Sequence, residues 1–327
     1  MQLPKGPVGS QVIGLGHYQP ANSMTSRDLA KMVDTSDDWT QSRTGIVTRH
    51  ISEQTETVAD MAVAAGRHAL SDANVDIELV DLIIVATTTA TERTPNTAGR
   101  VAHALGALSP AIIDINTACS GFCHALGLAD SAIRTGTATV ALVIAAEQLS
   151  ALTDWTDRGT CTLTADGSGA MIVAASDSPR ISAVNWGSDH RMSNTTGLQA
   201  PMNRFDQDDQ NGLRWTITDA AKHASKVIEQ AGYSIDDIDV LAAQQANLRT
   251  IEPLAKHLGL DHKIVLTDAS ESGNTSAASI PLGLSKWWHN GKVPADALTL
   301  LLGFGSGFAY AGQLIRTPAR DPLRSQP

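Results

Sequence analysis

The sequence predicts a layered α/β fold with a largely parallel or mixed sheet, and three observations support this prediction. Short apolar runs alternate with helical patterns along the chain. Motifs of the first half recur, in the same order, in the second half. The 327 residues are 42% hydrophobic and 18% charged, which is ordinary for a globular protein and leaves ample length for a core.

Strands are predicted between helices throughout the chain. Helical patterns cover 57–73, 96–107 and 216–232. The apolar runs that we assign to strands are VDLIIVAT (80–87), TVALVIAAE (139–147), AMIVAA (170–175), DVLAA (239–243) and ALTLLLGFG (297–305). Strands buried between helices are typical of a sheet that is covered on both faces.

The chain also contains an internal repeat of about 150 residues. Segment 73–81 resembles 231–239, and each follows a helix and precedes an apolar strand. Three pairs of segments match in order: 73–81 with 231–239, 101–107 with 254–260, and 114–136 with 267–291. We therefore predict two homologous halves, 1–175 and 176–327, which pack about a pseudo-twofold axis.

The repeat makes a prediction about a shared site. The alignment pairs Cys119 with Asn274, so TACSGF (117–122) and GNTSAAS (273–279) are expected to meet near the axis. The alternative is that two unrelated α/β segments align equally well by chance.

Charge and cysteine usage limit the function classes. The net charge of −10 argues against broad nucleic-acid binding. No apolar run reaches the roughly 18 residues of a membrane span, and the N-terminus lacks a signal-peptide pattern. The three cysteines cannot form a disulfide framework, which favours a reducing cytoplasm, and no zinc site is predicted at Cys119 and Cys123.

Cys119 lies between a predicted strand and a predicted helix, where backbone N–H groups favour a thiolate. It is either a nucleophile or a small buried hydrophobe, and Cys123 and Cys161 are interpreted as the latter. The glycine-rich turns at 164–170 and 301–312 either bind an anion or are only turns. The amide side chains in AAQQANLRT (242–250) belong either to a functional site or only to a polar loop. The base for Cys119 cannot be identified from the ten histidines.

Six motifs, taken together, resemble 3-oxoacyl-acyl-carrier-protein synthase III, the ketoacyl synthase III branch of the thiolase-like superfamily. The resemblance implies a thiolase-like duplicated αβαβα five-layered sandwich, usually a homodimer, which agrees with the predicted repeat. It also implies a cytoplasmic acyltransferase of fatty-acid or polyketide initiation. The motifs span nearly the whole chain: 34–50, 117–122, 157–170, 245–249, 273–279 and 303–312.

The resemblance implies roles for individual residues. Cys119 matches the nucleophile that takes an acyl group from coenzyme A, and Asn274 matches the asparagine that binds the thioester carbonyl of the extender. The backbone N–H groups of Cys119 and Ser306 match the oxyanion hole. Acyl-coenzyme A and malonyl-acyl carrier protein are expected as substrates, without a cofactor or a metal.

Other matching positions concern binding. Those that contact the coenzyme A nucleotide are Thr35, Trp39, Arg43 and Arg158. Asn247 and Phe304 match positions in the tunnel and the active-site wall. Thr94 matches a loop that reaches the acyl pocket of the partner subunit. A basic patch that receives the acidic carrier protein matches Arg214, Arg249 and Lys256.

Gln244 departs from the family pattern, which has a histidine before QAN. Glutamine keeps an N–H donor but cannot transfer a proton. We expect weak decarboxylative condensation, whether an engineered substitution or natural drift placed glutamine here. A second departure is the acidic segment 205–216, with Leu213 where a bulky aromatic is common. Two alternatives stay open: an acyltransferase that acts on an alcohol, amine or carrier thiol, and a catalytically silent subunit.

Overall fold

The computed structural model describes residues 5–190, 196–199, 204–207, 209–305 and 309–319. The strands are β1 Gly9–Tyr18, β2 Ser23–Thr25, β3 Thr48–His50, β4 Leu82–Ala86, β5 Ala111–Ile115, β6 Val140–Gln148, β7 Asp166–Ser176, β8 Asn185–Ser188, β9 Thr196–Gln199, β10 Arg204–Gln207, β11 Val240–Ala243, β12 Ile264–Val265, β13 Leu298–Phe304 and β14 Ala309–Arg316. The helices are α1 Ser26–Leu29, α2 Asp37–Thr44, α3 Val58–Ala73, α4 Thr97–Leu105, α5 Gly121–Arg134, α6 Arg158–Cys161, α7 Asp209–Gln230, α8 Leu248–Leu258, α9 Ala269–Ser272 and α10 Ser279–His289.

Two five-stranded mixed sheets have the same topology. The first has the order β1-β7-β6-β4-β5, and the second, read in the matching direction, has the order β8-β14-β13-β11-β12. In the first sheet, β5 and β6 are parallel to β4, whereas β1 and β7 are antiparallel to their neighbours. In the second sheet, β12 and β13 are parallel to β11, whereas β8 and β14 are antiparallel to their neighbours. The predicted duplication is therefore present in the fold.

Helices and sheets stack in five layers. Helices α5 and α10 lie between the two sheets, and their apolar residues form the central core. Helices α3 and α4 cover the outer face of the first sheet, while α7 and α8 cover the second. The layered αβαβα sandwich predicted from the sequence is confirmed. Among the described residues, no helix has the length and apolarity to span a bilayer.

The structure corrects the register of the repeat by three residues. A short 3₁₀ turn precedes both central helices, at Ala118–Ser120 and Ser276–Ala278, and Ala118 and Ser276 share the same positive φ of 48°. The structural counterpart of Cys119 is thus Ala277, and that of Asn274 is Asn116. Small polar residues align at several offsets, so only the backbone conformation determines the register.

Candidate active site

Cys119 lies where β5 is followed by the first turn of α5. Its 3₁₀ turn leads directly into Gly121, the first residue of the helix. Cys119 is partly exposed, whereas Cys123 and Cys161 are buried, and all three are free thiols. Burial raises the pKa of Cys123 to about 12 and that of Cys161 to about 11. Cys123 and Cys161 are packing residues, as predicted, and Cys119 is the thiol open to a substrate.

The glycine-rich turn after β13 packs against Cys119. A Cβ atom on Gly305 would lie 2.6 Å from the Cβ of Cys119, and one on Gly303 would lie 3.0 Å from the Cα of Ser120. Both distances are shorter than a normal carbon–carbon contact of about 3.5 Å. Glycine is therefore required here because the two halves approach each other closely. Ser306, the other predicted oxyanion-hole donor, lies outside the described residues.

A hydrogen-bonded chain of polar side chains begins at Cys119. The hydroxyl of Ser276 donates to the Cys119 Sγ over 3.5 Å, and the Ser276 N–H donates to Asn274 Oδ1 over 2.9 Å. Gln244 Nε2 donates to the same Asn274 oxygen over 3.3 Å, and Gln244 Oε1 accepts from the hydroxyl of Ser279 over 2.8 Å. The structure thus brings the predicted catalytic residues Cys119, Asn274 and Gln244 into one cluster.

The orientation of the Gln244 amide follows from its partners. Its oxygen accepts from the Ser279 hydroxyl, so its NH₂ group faces Asn274. Gln244 is 1% exposed and Asn274 is 4% exposed, so both amides interact in a medium of low dielectric. Neither amide can accept a proton at neutral pH, and what they supply is hydrogen bonds of fixed direction.

Asn274 is held in place by the other half of the chain. Its N–H donates to the carbonyl of Leu163 over 2.9 Å, and its carbonyl accepts from the N–H of Ala165 over 3.0 Å. The preceding Gly273 has φ 72°, and a Cβ atom there would lie 2.7 Å from that of Ala165. The site is therefore built at the junction of the two halves, as the repeat predicted.

A buried arginine supports this junction from behind. Arg49 is fully buried and donates from Nη1 to the carbonyls of Cys161, at 3.3 Å, and Thr162, at 3.1 Å. Its Nη2 donates to the Ser26 hydroxyl over 3.0 Å. Burial lowers the pKa of Arg49 to about 10, so the side chain stays charged at neutral pH. It fixes the segment that carries the Leu163 carbonyl.

A cavity of about 570 Å³ unites most of the predicted coenzyme A residues. Two guanidinium groups lie over the Trp39 ring, with Arg158 Cζ 4.9 Å and Arg43 Cζ 5.8 Å from its centroid. Asn247 lines the same cavity, as does Arg249 from α8. An indole with flanking cations is suited to stack an adenine base and bind phosphates.

Other predicted residues do not line this cavity. Thr35 is half-buried, and its hydroxyl is 3.2 Å from that of Thr40, beside the Asp34 carbonyl that accepts from Arg158 Nη1. Phe304 is buried in the outer core of the second half against Trp215, with ring centroids 5.9 Å apart. Thr94 is exposed. Phe304 is the last residue of β13 and directly precedes Gly305, which packs against Cys119.

Two of the three predicted basic residues share one helix. Arg249 and Lys256 are exposed on α8, seven residues and about two helical turns apart, and therefore lie on the same face. Arg214 belongs to α7, which packs against α8, but its side chain lies outside the described residues.

The structure adds three residues to the site that were not predicted from the sequence: Ser276, Ser279 and Glu147. Ser276 and Ser279 lie within the GNTSAAS motif, which carried the signal. Glu147 is fully buried at the end of β6 and accepts from Thr89 N–H and hydroxyl over 3.1 and 2.7 Å. Burial raises its pKa, and its carboxyl group interacts with Ser276. A single acidic residue after an apolar strand gave no signal.

Comparison with known proteins identifies the family. Residues 113–190 match 3-oxoacyl-[acyl-carrier-protein] synthase III, and residues 228–317 match its C-terminal part. A beta-ketoacyl-[acyl-carrier-protein] synthase III of Streptomyces avermitilis is 47% identical over 313 residues, covering 95% of this chain and 99% of that protein. The corresponding protein of Neisseria gonorrhoeae is 41% identical over 317 residues, covering 94% and 99%.

Solved structures agree. The priming β-ketosynthase of a polyketide biosynthetic pathway superposes with a TM-score of 0.95 at 35% identity, covering 98% of this chain and 99% of that one. The 3-oxoacyl-[acyl-carrier-protein] synthase III of Aquifex aeolicus gives a TM-score of 0.91 at 37% identity, covering 94% and 100%. With its cysteine at the junction of two thiolase-like halves, the chain belongs to the 3-oxoacyl-[acyl-carrier-protein] synthase III family.

Proposed function

We propose that the chain transfers an acyl group from acyl-coenzyme A to Cys119 and then condenses it with malonyl-acyl carrier protein. The observation that carries this proposal is the chain of contacts from Cys119 through Ser276 to Asn274 and Gln244. A nucleophile and oriented amide donors are what acyl transfer and enolate stabilisation require. The proposed setting is cytoplasmic fatty-acid or polyketide initiation.

Loading requires a thiolate, a bound thioester and a way to stabilise negative charge. The Cys119 sulfur attacks the thioester carbonyl, the carbon–sulfur bond to coenzyme A breaks, and coenzyme A leaves as a thiolate that takes up a proton. We assign the oxyanion to the backbone N–H groups of Cys119 and Ser306. The cavity around Trp39 and Arg158 supports nucleotide binding, with Thr35 at its margin.

Condensation needs an enolate. Malonyl-carrier protein loses carbon dioxide, and the resulting enolate carbon attacks the acyl-Cys119 thioester, which releases the Cys119 thiol. Asn274 and Gln244 are the donors that we assign to the enolate oxygen. We infer that Gln244 replaces a catalytic histidine. Its NH₂ group also donates to Asn274 Oδ1, so we expect a weaker hydrogen bond to the enolate and a rate lower by up to the ~10²–10³ that loss of a donor typically costs. Condensation by this chain is therefore impaired, while loading is not.

A second candidate function is acyl transfer to an alcohol, amine or carrier thiol without decarboxylation. The observation that favours it is Gln244 itself, since its amide is fixed between Ser279 and Asn274 and accepts no proton. Release of carbon dioxide from malonyl-carrier protein separates the two functions. The condensing enzyme releases it in step with product, and the simple acyltransferase releases none.

The loading step has a direct test. Intact-protein mass spectrometry after incubation with acetyl-coenzyme A is expected to show one added acetyl group, located by peptide mapping to Cys119. Cys119→Ala removes the label, and the matched control Cys123→Ala keeps it, because Cys123 is buried. An unlabelled wild-type protein, or a label that persists in Cys119→Ala, contradicts the proposal and leaves the silent-subunit alternative.

We also propose that α8 binds an acidic carrier protein through Arg249, Lys256 and the neighbouring Arg214. The overall charge of −10 makes a local cationic surface informative, since a like-charged partner needs one. Lys256→Glu is expected to raise the KM for malonyl-carrier protein severalfold and leave acyl-coenzyme A loading unchanged. An unchanged KM for the carrier protein contradicts this assignment.

The proposed partner is a second copy of the chain. Among the described residues, strand β5 pairs with β4 alone and forms an edge of the first sheet, and its residues Ile112 and Ile113 are 44% and 42% exposed. An exposed apolar edge strand is a template for pairing with another chain. In such a dimer Thr94 is the residue that we assign to the acyl pocket of the partner, where a small side chain leaves room for a long or branched starter. Faster loading of acetyl- than of isobutyryl- or hexanoyl-coenzyme A contradicts that last assignment.

A further inference from the structure

Three histidines from distant parts of the sequence form a cluster outside the active site. His17 belongs to β1, His68 to α3, and His289 is the last residue of α10. Their ring centroids are 4.7 Å (His17–His68), 4.6 Å (His68–His289) and 5.7 Å (His17–His289) apart. Helix α10 begins at Ser279 beside the active site, so ten residues, or about 15 Å of helix, separate the two ends.

The Nδ1 atoms of the three rings are all held by protein groups. His289 Nδ1 lies 2.7 Å from the carbonyl of Ser285, and His17 Nδ1 lies 2.9 Å from the hydroxyl of Ser285. His68 Nδ1 lies 3.2 Å from the backbone N and O of His17. An outer hydrogen bond of this kind orients the ring of a metal-binding histidine, and in His289, whose Nδ1 donates to a carbonyl, it leaves Nε2 as the ligand atom.

One contact in the cluster brings a carboxylate against an imidazole. His289 Nδ1 donates its proton to the Ser285 carbonyl, so Nε2 of the neutral ring carries a lone pair. That Nε2 faces Asp72 Oδ1 over 3.4 Å. Two electron-rich atoms repel each other unless a proton or a metal ion lies between them. In a tetrahedral zinc site with bonds of roughly 2.0–2.1 Å, two ligand atoms are roughly 3.4 Å apart.

The cluster has the dimensions of a small metal site. One ligand atom from each of the three histidines lies within 4.8 Å of the other two. Small rotations of the partly exposed rings close this triangle further. Asp72 already accepts from the Leu15 N–H through Oδ2 over 2.9 Å, which fixes its carboxylate beside the rings. Three clustered imidazoles, with a carboxylate that contacts one of them, are ligand types that zinc prefers.

The surrounding charges permit a cation. The C-terminus of α10, at His289, carries a partial negative charge. Lys286 is the nearby positive side chain, and its Nζ is paired with Asp268 at 2.9 Å and Glu271 at 3.8 Å.

We propose that His17, His68, His289 and Asp72 bind one zinc ion or a similar divalent transition metal. Three of these ligands belong to the first half of the chain, and His289 belongs to the second. The ion therefore links β1 and α3 to the end of the helix whose other end carries Ser279. Its role is to stabilise the junction of the halves, since it is too far along α10 to touch the acyl group. Widely separated histidines gave no spacing signal, so the sequence predicted no metal.

The proposal is tested on tag-free protein that has been stripped with a chelator. Titration with Zn²⁺ in competition with a chromogenic chelator is expected to give one ion per chain. At a hundredfold excess over Kd, the melting temperature is expected to rise by about 3–5 °C. His68→Ala and His289→Ala each weaken binding at least tenfold and remove the thermal shift. The matched control His103→Ala, an exposed histidine on α4, changes neither.

Two results would contradict a metal site at the three histidines. Zinc binding that is equally tight in His289→Ala places the metal elsewhere, and binding that disappears in Cys119→Ala places it on the active-site thiol. Substitution of Co²⁺ gives a second readout, because thiolate ligands add a charge-transfer band that imidazole ligands lack. His289 is at the surface, with 28% of its side chain exposed, so His289→Ala is expected to fold. Its circular dichroism spectrum checks this.

Discussion

At the residue scale, we expect the reactivity of Cys119 to depend on Ser276. The hydroxyl lies 3.5 Å from the sulfur and its own position is fixed by the left-handed backbone at φ 48°. A hydroxyl that donates to sulfur stabilises the thiolate, which is the nucleophilic form. The same turn directs the Ser276 N–H to Asn274, so one residue orients both the nucleophile and the amide.

Ser276→Ala is expected to slow alkylation of Cys119 by iodoacetamide about three- to tenfold, because one hydrogen bond to the thiolate is lost. Labelling at pH 8 reports on Cys119 alone, since burial raises the pKa of Cys123 to about 12 and that of Cys161 to about 11. Ser131→Ala, on α5, is the matched control and leaves the rate unchanged. Equal rates for Ser276→Ala and the wild type would exclude this role.

Sequence reasoning identified the residues with chemical character and missed those that work through geometry. Cys119 and Asn274 lie in motifs that are distinctive by themselves. Ser276 acts because Asn274 holds its backbone, which no sequence pattern shows. Phe304, which we predict as part of the active-site wall, packs its ring against Trp215. Side-chain direction at the end of a strand depends on the local twist and packing.

At the element scale, the turn after β13 packs against Cys119 because Gly305 has no side chain. Gly305→Ala is expected to reduce acetyl loading of Cys119 more than tenfold, since its Cβ atom would lie 2.6 Å from that of Cys119. Gly66→Ala, within α3, is the matched control, because its Cβ meets only ordinary contacts at 3.4–3.5 Å. A Gly305→Ala variant that loads at the wild-type rate would show that the turn relaxes freely.

The cavity is also an element-scale construction, since Trp39 comes from α2 and Arg158 from α6. Arg158→Ala is expected to raise the KM for acyl-coenzyme A about tenfold with little change in kcat, because it removes uniform binding energy. Arg67→Ala, on α3, is the control for loss of a surface arginine. A fall in kcat at constant KM would place Arg158 in the chemistry instead of in binding.

The predicted strands correspond to β4, β6, β7, β11 and β13, and their apolar runs made them visible. β1 was not predicted, although it forms a sheet edge. It contains Gly14 and Gly16, which weaken the strand pattern. A Cβ atom on Gly16 would lie 2.2 Å from the Ala65 carbonyl oxygen, so close packing of α3 requires these glycines. Tertiary contact thus overrides local propensity.

At the scale of the whole molecule, the duplication explains why the site lies at a junction. Strands of the first sheet lie within 9–176 and those of the second within 185–316, so we propose that the halves meet between these ranges. The sequence predicted the duplication correctly and its register incorrectly. Residues such as Asn116 and Asn274 correspond because they make the same turn, with Asn116 Oδ1 accepting from the Ala118 N–H over 3.3 Å.

The proposed dimer is formed by two whole chains that pair at β5. Ile113→Asp is expected to convert a dimer to a monomer in size-exclusion chromatography with light scattering, because a charge at the edge strand opposes pairing. Leu79→Asp is the matched control, since Leu79 is 62% exposed in a different element. A wild-type protein that elutes as a monomer, or an Ile113→Asp variant that stays dimeric, would contradict an interface at β5.

We propose that Gln244 limits the condensation step at Cys119. The most direct measurement is the rate of carbon dioxide release from malonyl-carrier protein, compared between the wild type and Gln244→His. The account predicts an increase of up to ~10²–10³, with acetyl loading of Cys119 unchanged. Equal rates of carbon dioxide release in the two proteins would contradict it.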